Sequence, residues 1–127
     1  MTRIDVLIVE DNEEIASLIE LELQRNVPDV AQVQRVADGE AAIDLCSELQ
    51  PAVVILDHGL PGAKGDEVAG RIRECAPGSR IISFTALDPG RGWADQSFMK
   101  DAAGFRQIAE AVRDAANHNN GQPPAQP

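Results

Sequence analysis

No run of apolar residues in this chain approaches the roughly 20 needed to span a bilayer as a helix, so a transmembrane helix is not expected. A charged, apolar leader is not expected either. Met1-Thr2-Arg3 passes straight into a strand-like segment, and a cytoplasmic location is the expectation. Basic residues are scarce: 11 against 21 acidic ones leave a net charge of -10, which repels a phosphate backbone. Neither nucleic acid nor a membrane is therefore an expected partner. The only ammonium side chains are Lys64 and Lys100. Two cysteines, Cys46 and Cys75, lack metal-ligand spacing and fall on apolar helix faces, which argues for a reduced, buried pair with no functional role.

What remains is ordinary for one globular unit: 127 residues, 43% of them hydrophobic, have room for a single core. Three apolar runs read as strands buried on both faces, namely Val6 to Val9, Val53 to Leu56, and Ile81 to Phe84 with Ser83 interrupting. Helical periodicity lies between and around them. Ile15, Leu18, Ile19 and Leu23 form one stripe, and Ala42, Leu45, Cys46 and Leu49 a second. Val68, Ile72 and Cys75 mark a third helix stopped by Pro77-Gly78, and Phe105, Ile108, Ala109, Val112 and Ala116 mark a last one. The more polar stretch from Val30 to Val36 reads as an edge strand, and a short strand is expected around Phe98 and Met99. Alternating strands and helices predict an α/β fold, a doubly wound parallel sheet over residues 1–116. Residues 117–127 lack periodicity and read as a flexible tail or linker.

In such a sheet a ligand binds beyond the carboxyl ends of the strands. The residues found there are Glu10 and Asp11 after the first strand, Asp57 after the third, Thr85 after the fourth and Lys100 after the fifth. Taken singly, Glu10 or Asp11 would serve as a helix cap and Asp57 as a loop cap. Together they place three carboxylates, a hydroxyl and an ammonium on one rim. Three carboxylates so close repel one another unless a cation sits among them, and hard oxygen ligands suit Mg²⁺.

The segments Val6-Leu7-Ile8-Val9-Glu10-Asp11-Asn12 and Val54-Ile55-Leu56-Asp57-His58-Gly59-Leu60-Pro61-Gly62, continuing to Gly65, resemble the response-regulator receiver family over residues 3–116. The resemblance implies a five-stranded, flavodoxin-like sheet of order 2-1-3-4-5. It implies that Asp57 accepts a phosphoryl group from a histidine kinase or a histidine phosphotransfer protein, and that the change is passed to a downstream protein. Asp11, Asp57 and the Gly59 carbonyl would bind Mg²⁺ directly and Glu10 through water, while Thr85 and Lys100 would meet the phosphoryl oxygens. Such a chain catalyses only its own phosphorylation and dephosphorylation and is not otherwise an enzyme.

Three departures from the family pattern stand out. Only fourteen residues separate Thr85 from Lys100, too few for a helix of about 11 residues, two loops and a strand, so the fourth helix is expected to be short, irregular or missing. Asp88-Pro89-Gly90-Arg91-Gly92 is turn chemistry at that place. Ser97 stands where the family's switch aromatic usually does, with Trp93 a possible substitute or simply a packed loop residue, and Asp101 replaces the usual proline after the lysine. The loop from Leu87 to Ser97 is therefore the expected site of rearrangement on phosphorylation. The alternative is an adaptor that keeps the fold and needs no phosphorylation.

Overall fold

The computed structural model describes residues 4–60, 62, 64–86 and 92–119, with only the backbone of 118 and 119. The apolar runs become the middle of one sheet. Its strands are β1 (Ile4–Val9), β2 (Val30–Val36), β3 (Val53–Leu56), β4 (Arg80–Thr85) and β5 (Gln96–Met99), all parallel in the order β2-β1-β3-β4-β5. The polar segment β2 occupies an edge, as its composition led us to expect. The helices are α1 (Glu13–Asn26), α2 (Gly39–Leu49), α3 (Gly65–Cys75) and α4 (Ala102–Asn119).

Alternation along each strand divides the core in two. Val6, Ile8, Val53, Ile55, Ile82 and Phe84 face α1 and α4, while Leu7, Val9, Val54, Leu56 and Ile81 face α2 and α3. Short polar residues set where the helices begin: Asn12 Oδ1 accepts the Ile15 N–H at 3.1 Å, and Asp38 Oδ1 accepts the Ala41 N–H at 2.8 Å. Asp101 does the same for α4, its Oδ1 accepting the Gly104 N–H at 2.7 Å. Gln50 ends α2 with φ at 50° and reaches across to α3, where its side-chain amide donates to the Cys75 carbonyl at 2.8 Å.

Several details differ from the sequence reading. Leu18 does not share the buried stripe of α1, whose inward face is Ala16, Ile19 and Leu23; Leu18 is 50% exposed. Cys46 is fully buried, but Cys75 is only half-buried, because it ends α3 rather than facing its middle. Helix α4 runs through Asn119, past the point where periodicity ended, and residues 120–127 of the expected tail lie outside the described residues. Among the described residues there are four helices, the fourth in chain order being α4. The described residues between β4 and β5, Ala86 and 92–95, contain no helix, and residues 87–91 lie outside the description. Among the described residues no helix is long and apolar enough to cross a membrane.

Burial pushes the Cys46 thiol from an ordinary 9.0 up to about 12, with the neighbouring Cys75 adding to the shift. Iodoacetamide at pH 8 is therefore expected to label Cys75 in the native protein and Cys46 only after urea unfolding. Equal native labelling of both would contradict this packing. Because the folded thiol binds its proton more tightly than the unfolded one, its contribution to stability is complete below about pH 9 and lost as pH rises toward 12.

Candidate functional site

The strand register brings the rim residues together. Val9 pairs with Leu56, so the next residues, Glu10 and Asp57, emerge side by side. Thr85 pairs with Met99, so Lys100 leaves the sheet one residue further on. Backbone hydrogen bonds fix these exits: the Asp57 N–H donates to Val9 O at 3.0 Å, the Glu10 N–H to Val36 O at 3.0 Å, and the Lys100 N–H to Thr85 O at 2.9 Å. The sheet continues into the site, which is why its side chains begin from defined positions.

Lys100 bridges the two buried acids. Its Nζ lies 2.8 Å from Glu10 Oε1 and 3.1 Å from Asp57 Oδ1. The Glu10 side chain is 2% exposed and that of Asp57 9%, so these are charges in a poorly solvated place where pairing matters. Glu10 Oε2 also accepts the Asn12 N–H at 3.2 Å, and Asp57 Oδ1 accepts the Gly59 N–H at 3.3 Å. Asp11 stands exposed at the mouth, and Thr85 is buried at the end of β4. All the residues singled out at the strand ends thus occupy one rim.

Electrostatics define what this rim lacks. Burial holds the Glu10 carboxyl above its ordinary value against the hydrogen bond from Lys100, and the Asp57 carboxylate pushes it further up. Burial alone would lower the Lys100 pKa, but the hydrogen bond it donates to Glu10 and the charges of Asp57 and Glu10 outweigh it and raise it. The lysine is held charged by the carboxylates around it, while Glu10 is raised chiefly by burial and only in part by the neighbouring Asp57. Carboxylate oxygens of Glu10, Asp11 and Asp57 lie within 4.8 Å of one another. An oxygen-only donor set of this kind, with surplus negative charge, fits a hard divalent cation.

One part of the neighbourhood was not visible in the sequence. The Trp93 indole stacks on His58, ring centroids 5.9 Å apart and planes 18° from parallel. The same indole packs directly on Gly65 at the start of α3, and with His58 it borders a cleft of about 910 Å³ also lined by Gly59, Leu60, Lys64 and Asp66. A lone tryptophan in a turn-rich segment gives no periodic signal, and its partners lie 28 and 35 positions away.

A doubly wound parallel sheet of order 2-1-3-4-5 thus carries an acidic rim and one lysine at its carboxyl edge, where sheets of this kind bind their ligands. The chain belongs to the response regulator receiver domain family, whose model matches residues 6–107. Over 80 residues it is 29% identical to the nitrate/nitrite response regulator protein NarL of Escherichia coli K12, covering 63% of this chain and 37% of that protein. The matched part is thus little more than a third of that relative's length. Among solved structures, the receiver domain of the putative response regulator NarL from Mycobacterium tuberculosis aligns with a TM-score of 0.79 at 25% identity, covering 92% of this chain and 98% of that one. Response regulator TrrA from Thermotoga maritima, in complex with Mg(2+)-BeF, aligns with a TM-score of 0.76 at 30% identity, covering 91% and 99%.

Proposed function

We propose that this chain is a phosphoryl-accepting switch of a two-component phosphorelay. Asp57 would take its phosphoryl group from the phosphohistidine of a histidine kinase or histidine phosphotransfer protein. The observation that carries this reading is the bridge from Lys100 to both Glu10 and Asp57, formed despite the short spacing after Thr85. That bridge also weighs against the phosphorylation-independent adaptor, which the altered lysine spacing and the missing switch aromatic had suggested, since it answers the first of these. TrrA in complex with Mg(2+)-BeF, a relative at 30% identity, supports Mg²⁺ as the cation.

In the transfer a carboxylate oxygen of Asp57 attacks phosphorus while the phosphorus–nitrogen bond of the donor breaks and the imidazole leaves with the bonding pair. The N–H of Gly59 and the ammonium of Lys100, both on Asp57 Oδ1, orient the nucleophile. Asp11, Asp57 and the Gly59 carbonyl would hold Mg²⁺, with Glu10 acting through water. When bound, the ion neutralises charge on the phosphoryl oxygens. As negative charge builds there, Lys100 would exchange a carboxylate partner for a phosphoryl oxygen, and Thr85 would donate from the end of β4. Rearrangement around Thr85 and the β4–β5 crossover would then alter contacts with a downstream protein, which is the signalling output.

Calorimetric titration with Mg²⁺ tests the cation site. Asp11→Asn is expected to weaken binding at least tenfold, because it removes one of few charged ligands without disturbing the core. Unchanged affinity in Asp11→Asn would remove Asp11 from the ligand set.

A further inference from the structure

The crossover between β4 and β5 is tied down at its second half. The Asp95 N–H donates to Ile81 O at 2.8 Å, and Asp95 Oδ2 accepts the Ile81 N–H at 2.8 Å, as a strand neighbour would. Arg73 of α3 donates to the Trp93 carbonyl at 3.0 Å. These bonds fix the backbone from which the indole projects. Its ring fills a notch that exists only because Gly65 has no side chain: a Cβ there would lie 2.8 Å from Cζ2 and 3.1 Å from Cη2 of Trp93. On the other side it stacks on His58.

Two of the described residues after Asp57 show how that loop is held. Leu60 is buried in the α2–α3 core, but Gly59, whose N–H holds Asp57 Oδ1, has open space where a side chain would be. His58 connects Asp57 to Gly59, so whatever holds His58 sets where the Gly59 N–H points. We propose that Trp93 is a positioning residue for the phosphoacceptor loop: clamped between Gly65 and His58, its indole fixes the two residues after Asp57 and couples the β4–β5 crossover to the nucleophile. The proposal deepens the phosphoacceptor reading of Asp57 and rests on it. It also gives the crossover, in a chain with Ser97 and no aromatic at the usual switch place, a direct route to the chemistry.

The experiment is phosphorylation by phosphoramidate with Mg²⁺, followed as initial rate against donor concentration in the full chain and in Trp93→Ala, Trp93→Phe, His58→Ala, Gly65→Ala and the Trp93→Ala/His58→Ala pair. A misplaced nucleophile loses maximal rate, so Trp93→Ala, His58→Ala and Gly65→Ala are each expected to be about tenfold slower at saturating donor. Trp93→Phe, still able to stack, should recover most of the rate. The double variant should be no slower than either single one, because both break the same contact. Trp93 is the only tryptophan, so its emission should change when the native chain is phosphorylated and stay constant in Asp57→Asn. Should Trp93→Ala fail to fold by circular dichroism, His58→Ala and Gly65→Ala decide the matter. Native rates in those variants, with the native chain phosphorylated on Asp57, would overturn this inference alone. Absence of any Asp57-dependent adduct on the native chain would overturn the phosphoacceptor reading and this inference together.

Discussion

Gly104→Ala is expected to destabilise the domain by about 3 kcal/mol or more, lowering the melting temperature by roughly 10 °C. Gly104 lies in the first turn of α4, where the helix passes directly beneath the end of β5. A Cβ there would overlap the Met99 carbonyl oxygen and sit 3.0 Å from Cε1 of Phe84. The obstruction is backbone, so no rotamer change relieves it; either α4 or the Met99–Lys100 segment must move. Movement of the latter would carry Lys100 away from Glu10 and Asp57. Gly70, exposed in the middle of α3 with open space around it, supplies the contrast: Gly70→Ala should stabilise by about 0.5–1 kcal/mol through the lower entropy of the unfolded chain. Urea denaturation of the two variants checks both signs at once, and a Gly104→Ala protein as stable as the parent would contradict the packing of α4 under β5.

Lys100→Met is expected to cost about 3 kcal/mol of stability at neutral pH in the absence of divalent cations, because it leaves two buried carboxylates without their shared ammonium. The pH dependence follows from Glu10, whose folded carboxyl is already held above its ordinary 4.5 by burial. A raised folded pKa means that the contribution to stability is complete at acid pH, below the unfolded value, and is lost as pH rises through the folded one. Removing the lysine raises that folded value further, so the variant should regain stability on acidification, when a proton replaces the ammonium. Added Mg²⁺ should restore it as well. Phosphorylation should be slower by about a hundredfold, the usual effect of removing one donor aimed at developing negative charge. Denaturation at pH 5 and pH 8, with and without Mg²⁺, gives the first set of values. A variant equally stable at both would show that the bridge carries little energy.

Much of this was legible because parallel sheets write their topology in apolar runs. Val6–Val9 and Val53–Leu56 are buried on both faces, so the residues that follow them had to lie at the sheet's carboxyl edge. Glu10, Asp57 and, after the buried run Ile81 to Phe84, Thr85 could be placed for that reason, whereas Lys100 follows the half-exposed β5 and was placed by the strand count. Leu18 shows the limit of periodicity: at 100° per residue it lies about 130° from the centre of the stripe formed by Ala16, Ile19 and Leu23, although it keeps helical spacing from Ile15. Spacing from one partner does not define a face. The reach of Gln50 to α3, the contact of Gly104 with Met99 and the clamp of Trp93 on His58 were hidden for a different reason. Each joins segments through the fold, and no local pattern announces it. Asp101 is intermediate, since an aspartate before a periodic segment signals a cap from sequence alone, and its Oδ1 does accept the Gly104 N–H.

The measurement closest to the central claim is the intact mass of the chain after incubation with phosphoramidate and Mg²⁺, beside Asp57→Asn and a sample with EDTA. Phosphorylation of Asp57 predicts a single added phosphoryl group on the native chain, lost in the substitution and without the metal. An unmodified native chain that still binds Mg²⁺, or an adduct that persists in Asp57→Asn, would contradict it.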